Sequence, residues 1–249
     1  METQTQMIFS FFNLPSFFTF FIIIYMISYF IIFKSWTPKT RPEASSCIIS
    51  LFHSTPAVVF SLYAVLSAAD PSFSSANTVV QSAVLDYSIA YFLTDLIHYL
   101  IFYPSDVLFI GHHLATLFVF VTCRYVTFHG ACAILGLLIL AEVTSACQNA
   151  WTLAGLRKDD VEFAQKVFDV LSLPFYAFYS VIRGFSGPYY VYKMTSFYVG
   201  AGEELPIPKW AWMSWIVVVL TAIGVSILWV SNLWVEFFKR SGKLEKHKL

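Results

Sequence analysis

The chain has 249 residues, of which 58% are hydrophobic and 12% charged, and its formal net charge is zero. So little polar surface cannot solvate a globule of this size, which excludes a water-soluble domain. Zero net charge with scattered basic residues gives no phosphate-tracking surface, so nucleic acid is excluded as a partner.

The first apolar run, residues 8–33, exceeds the roughly 20 residues that cross a hydrocarbon core of about 30 Å. It is too long for a signal-peptide core and has no Lys or Arg before it, so it reads as a retained span. A polar break over residues 34–43 follows, with Pro38 and Pro42 as helix stops, and the second span covers residues 46–68. Asp70, Pro71, Ser72 and the Ser/Asn-rich stretch to Thr78 form a loop. The third span, residues 79–103, is closed by Pro104, Ser105 and Asp106, and the fourth follows at once over 107–125. The fifth is placed at 128–153, ahead of the hydrophilic loop carrying Arg157, Lys158, Asp159, Asp160 and Glu162.

The sixth span, 163–182, contains Pro174, where a kink is expected. Residues 183–209 combine glycines, prolines and aromatics, and fit a re-entrant segment, an interfacial helix or a short extra span. The last span, 210–238, opens with Trp210, Trp212 and Trp215, where an interfacial belt would sit. Runs this long, apolar on every face, do not match the alternating ten-residue segments of a β-barrel. The fold class is therefore all-α, a polytopic membrane helix bundle of about seven spans.

Seven spans put Lys34, Lys39 and Arg41, then Arg157 and Lys158, then the C-terminal lysines and Arg240 on one side. By the positive-inside rule that side, with the C-terminus, is cytosolic. No N-x-S/T acceptor and no internal repeat occurs, the latter weighing against an inverted-repeat transporter. Cys47, Cys123, Cys132 and Cys147 lie in or beside apolar segments with no CxxC spacing and read as buried thiols.

Ionisable groups inside a bilayer cost about 2.5–3.5 kcal/mol each even on lenient scales, so each calls for a reason. Asp95 and His98 lie three apart in the third span, on one helix face. His112 and His113 lie early in the fourth, with Thr116 four residues after His112. Glu142, Ser145 and Asn149 make a polar stripe along the fifth. The alternating topology brings Asp95, His98, His112, His113 and Glu142 to the cytosolic half of the membrane, where they would form a shared polar chamber. The competing reading is structural, since such residues also join membrane helices at about 0.6 kcal/mol per hydrogen bond. Asp86, nearer the other face, reads as structural, and Arg124 and His129 as topological. Adjacent histidines point about 100° apart and no HxxxH box occurs, so no metal is assigned.

The run Tyr91-Phe92-Leu93-Thr94-Asp95-Leu96, then Gly111-His112-His113-Leu114-Ala115-Thr116, then Glu142-Val143-Thr144-Ser145 with Asn149, and finally Arg183 with Pro188, resembles the TLC family of translocating-chain-associating, longevity-assurance and ceroid-lipofuscinosis proteins. The resemblance divides the chain into an N-terminal span and basic loop (1–44), a TLC-like transmembrane domain (45–240) and a basic cytosolic tail (241–249). It implies six core spans around a lipid-sized cavity, one additional N-terminal span, and a place in the endoplasmic reticulum. In ceramide synthases the histidine pair and a downstream His-Asp plus Asp are tied to acyl transfer from acyl-CoA. Here the pair is present, but the downstream segment reads Ala141-Glu142-Val143-Thr144-Ser145-Ala146, which speaks against ceramide synthase activity and for a TLC-domain protein outside that group.

Three functions compete. In a lipid acyltransferase using acyl-CoA as co-substrate, with no bound cofactor, His112 or His113 would be the general base and Asp95 or Glu142 would orient it. In a non-catalytic lipid-binding or lipid-sensing protein, the chamber would hold a membrane lipid's headgroup through His98, Thr116, Ser145, Asn149 and Arg183. A membrane-protein chaperone or cargo receptor is the third reading, for which the short loops offer little surface.

Overall fold

The computed structural model describes residues 13–246; residues 8–12 of the expected first span and 247–249 of the tail lie outside the described residues. Among the described residues the regular elements are all helices, joined by short turns and loops, apart from an isolated bridge between Ala76 and His129.

Helix α1 (Leu14–Ile27) opens with a capping box between Asn13 and Ser16 and runs into a π-helical turn, Ser28–Ile32. Helix α2 (Arg41–Leu66) begins earlier than expected: Pro42 opens it instead of stopping the chain before it. A proline in the first turn forfeits only an N–H that has no helical partner there. Helix α3 (Val79–Phe102) is capped by Thr78 and Gln81, and α4 (Val107–Val121) continues into a second π-helical turn, Thr122–Thr127. The fifth span is broken into α5 (Ala131–Glu142) and α6 (Ser145–Gly155).

Helix α7 (Glu162–Val181) passes through Pro174 into the π-helical turn Ile182–Ser186 and on into α8 (Gly187–Gly200). Residues 183–200 are thus neither a re-entrant piece nor an extra span; they extend the sixth helix. A short 3-10 turn, Gly202–Glu204, leads into α9 (Lys209–Lys246), whose 38 residues reach about 57 Å at 1.5 Å per residue.

Among the described residues six helices are long and apolar enough to cross a membrane; the α7–α8 run, which carries Lys166, Asp169, Arg183 and Lys193, is long enough but not apolar enough to be counted with them. The loops sort to two ends. At one, Arg157 lies 5.0 Å over the Trp36 ring and the Tyr103 hydroxyl donates to the Lys39 carbonyl. At the other, Ser75 and Asn77 bond to the backbone of Gly130 and Phe128, and Tyr198 donates to the Phe73 carbonyl.

Helix α3 is the hub, with 72% of its apolar window buried against 11% for α9. It packs on α1, α2 and α4; α2 also packs on α5 and α6, α7 on α6, and α9 on α4, α7 and α8, so α2–α9 form a ring with α1 outside it. Exposed Ile23, Phe30, Leu108, Val170, Val217 and Phe238 would mark an interface on a soluble protein, but on spans of this length they face lipid.

Two glycines permit close approaches. Gly130 has φ of 90°, and a Cβ there would lie 3.0 Å from Ile207 Cδ1 and Trp215 Cζ3. At Gly136 a Cβ would overlap the phenol of Tyr190, which crosses α5 and donates to the Cys132 and Ala133 carbonyls. Gly136→Ala is therefore expected to destabilise the bundle by about 1–3 kcal/mol, read as a lowered thermal midpoint of the purified protein. An unchanged midpoint would mean α5 and α8 do not cross here.

Candidate functional site: a polar chamber inside the bundle

Asp95 sits on α3 with 4% exposure, between α2 and α4. Its Oδ1 accepts a 2.7 Å hydrogen bond from the Ser46 hydroxyl, and its Oδ2 lies 2.8 Å from His113 Nε2. His113 Nδ1 is 2.8 Å from the Phe109 carbonyl one turn earlier. A carbonyl can only accept, so Nδ1 carries a hydrogen, and one proton is shared between Nε2 and Asp95. Both nitrogens of His113 are engaged within the protein, leaving none for a ligand.

His112 behaves differently. Its ring stands at 86° to that of His113, is exposed, and makes no hydrogen bond to any described residue. Its ring centroid lies 6.4 Å from that of Phe92 on α3, and it is within electrostatic reach of Arg183 and Asp95. The divergence follows from the 100° step between helical neighbours. Thr116 is half-buried and makes no hydrogen bond to His112.

Glu142 ends α5, and Val143 and Thr144 interrupt the span before Ser145 opens α6. Irregular backbone at membrane depth is tolerated where it lines a cavity or is buried in protein. Glu142 is 8% exposed, beside Ser145 and within electrostatic reach of Arg183, His113 and Asp95. Asn149 Nδ2 donates to the Ser50 hydroxyl at 2.8 Å, tying α6 to α2.

The sequence reading missed His53. Fully buried on α2, it stacks on Tyr91 with ring centroids 4.0 Å apart, and its Nε2 is 3.1 Å from the Ser88 hydroxyl. Its Nδ1 has no hydrogen-bond partner and lies 3.8 Å from Glu142 Oε2. A second histidine–carboxylate approach thus joins α2 to α5. The signal was available: Ser46, Ser50 and His53, at i, i+4 and i+7, line one face of α2.

Arg183 sits in the π-helical turn after α7, a feature often found at functional positions. Its Nη2 donates to the Ala141 carbonyl at 2.8 Å, and its guanidinium lies 5.2 Å over the Tyr179 ring. Ala141 is near the middle of the Ala131–Gly155 span, so the charge sits near mid-depth.

His98 faces elsewhere. Its Nδ1 is 2.8 Å from the Tyr25 hydroxyl, and with Tyr25, Tyr29 and Phe102 it lines a separate cavity of about 390 Å³ between α1 and α3. The three-residue spacing leaves Asp95 and His98 about 60° apart, enough on a helix packed all round to address different neighbours. Asp86 and Arg124 are not independent: Arg124 Nε and Nη2 reach the two Asp86 oxygens at 3.0 and 3.1 Å, and the Tyr125 hydroxyl donates to the same carboxylate at 2.7 Å. Arg124, read as topological, is thus half of a bidentate clamp between α4 and α3. Among the described residues, no group of three His, Cys, Asp or Glu side chains is arranged to hold a metal ion.

The groups of this cluster free to meet a polar group are the imidazole of His112 and the Nη1 edge of Arg183. Residues 43–235 match the family model described as the TLC domain. A TLC domain-containing protein of Arabidopsis thaliana is 61% identical over 240 residues, covering 95% of this chain and 94% of that protein. No solved structure matches the chain. With histidine pair, aspartate-bearing helix and ring of spans in place, the chain belongs to the TLC domain family.

Proposed function

We propose that this protein binds a membrane lipid by its polar head inside the chamber and acts in lipid homeostasis as a lipid-binding or lipid-sensing component of the endoplasmic reticulum membrane, with its C-terminus in the cytosol. The observation that carries this reading is the engagement of His113. With Nδ1 committed to Phe109 and Nε2 to Asp95, the better-oriented histidine of the pair has no nitrogen for general-base work. The groups left open are those that hold a headgroup: the His112 ring and the Nη1 edge of Arg183. The shared end of the Trp36 and Arg157 loops supports a single basic side.

A second reading, acyl transfer from acyl-CoA, is favoured by one observation, the unengaged ring of His112. There His112 would take the proton of an acceptor hydroxyl or amine as it attacks the thioester carbonyl, then return it to the departing thiolate. Among the described residues no carboxylate lies within 4 Å of His112 to orient it, which ranks this reading second.

The test is a lipid profile of cells lacking the protein, rescued at matched expression with wild type or His112→Ala. Wild type should restore a specific lipid class and the variant should fall short. Equal rescue would remove His112 from the site. Release of free thiol from acyl-CoA by purified wild type but not by His112→Ala would promote the second reading.

A further inference from the structure

Arg183 is a cation near mid-depth of a span, yet among the described residues no carboxylate lies within 4 Å of it. Charges at that depth are retained where they meet a partner or a polar cavity. Its protein contacts are one carbonyl and one aromatic ring, neither of which carries a compensating negative charge. Nε is shut off from its surroundings without a partner, whereas Nη1, unbonded and not shut off, leaves the fork's outer edge available. The Nη2 bond to Ala141 and the Tyr179 ring hold the plane of the fork, which suits two-point recognition of a carboxylate or phosphate. The open ring of His112 lies within electrostatic reach of the same guanidinium. Glu142 lies within reach too, but the group within 4 Å of it is His53.

From this geometry we infer that the chamber selects a lipid with an anionic oxygen head, a carboxylate or a phosphate, which completes the missing half of an ion pair with Arg183 and hydrogen-bonds to His112. The inference rests on the lipid-binding reading and narrows it to a chemical class. An anionic head supplies an ion-pair partner in contact with the guanidinium, which no described carboxylate does, whereas a neutral head of the same tail leaves that contact unmade.

The experiment uses lipid pairs with identical tails: oleate against oleyl alcohol, and phosphatidate against diacylglycerol. Binding to the full chain in nanodiscs is measured by native mass spectrometry. Wild type should hold at least one anionic member about tenfold more tightly than its neutral twin, and whichever pair shows the gap separates carboxylate from phosphate. Arg183→Gln should close the gap to within about twofold, and Arg183→Lys should keep part of it. Neutral twins binding wild type as tightly as the anions would overturn the inference and leave the lipid-binding reading intact, as would an undiminished gap in Arg183→Gln. Failure of all four lipids to bind would overturn both. The wild-type comparison decides the question even if the Gln variant does not fold.

Discussion

Replacing Asp95 by Ala is expected to lower stability by about 3–5 kcal/mol, the usual cost of removing one partner from a buried charged pair. The carboxylate accepts from Ser46 on α2 and shares a proton with His113 on α4, so its loss strips partners from two helices at once. Interhelical hydrogen bonds in membranes average only about 0.6 kcal/mol, so two ordinary bonds would not reach that figure. The buried His113 imidazole left facing an empty space makes up the difference. For a chain of this size, about 3 kcal/mol lowers the thermal midpoint by roughly 6–12 °C. Asp95→Asn should cost far less, about 1 kcal/mol, because the amide can accept from Ser46 and donate to a neutral His113. Thermal unfolding in nanodiscs measures both, and a shift below about 2 °C for Asp95→Ala would show that the shared proton does not fasten these helices.

The second large effect is expected at the Asp86–Arg124 clamp. Asp86→Ala removes the acceptor of both Arg124 bonds and of the Tyr125 hydroxyl, stranding a guanidinium at 24% side-chain exposure. A loss of about 3–5 kcal/mol follows. Arg124→Lys should rescue little of the bidentate geometry, because an ammonium cannot match the planar fork. The double variant Asp86→Leu/Arg124→Met should recover to within about 1 kcal/mol of wild type, since it buries no unpaired charge. If the double variant falls as far as Asp86→Ala, the clamp contributes through specific shape and not through charge pairing. Being well separated from Asp95, the clamp should leave lipid binding unchanged in any variant that folds.

The spans were legible because a bilayer imposes a simple length rule on apolar runs, and each expected run is helical in the bundle within the described residues. The failures have local causes. Pro42 was read as a stop, whereas a first-turn proline is compatible with a helix start. The sixth span was ended at residue 182, ahead of the stretch rich in glycine, proline and aromatics, yet the π-helical turn carries the helix on and places Pro188 again in a first turn. Backbone of that kind depends on what packs against it, which a single sequence does not encode legibly.

The chamber was partly legible. Asp95, His113 and Glu142 were singled out as ionisable groups in apolar runs, and the bundle brings them within electrostatic reach of one another. The division of labour between His112 and His113 was not visible, because it depends on which residue of the pair faces α3. His53 escaped notice as a single histidine among serines, although the Ser46, Ser50 and His53 spacing carried the information. The Asp86–Arg124 pairing joins residues 38 positions apart on different helices, which no local pattern reports.

The most direct test of the lipid-binding chamber is to identify what the purified full chain carries after mild detergent extraction, comparing wild type with Ser145→Trp, a substitution that places an indole beside Glu142. Wild type should retain about one lipid per chain, enriched in one polar class over the host membrane, and Ser145→Trp should lose it while its thermal midpoint stays within a few degrees. If wild type carries no enriched lipid, or the tryptophan variant carries the same lipid in the same amount, the interior polar cluster is a set of helix fasteners and the lipid-binding function is wrong.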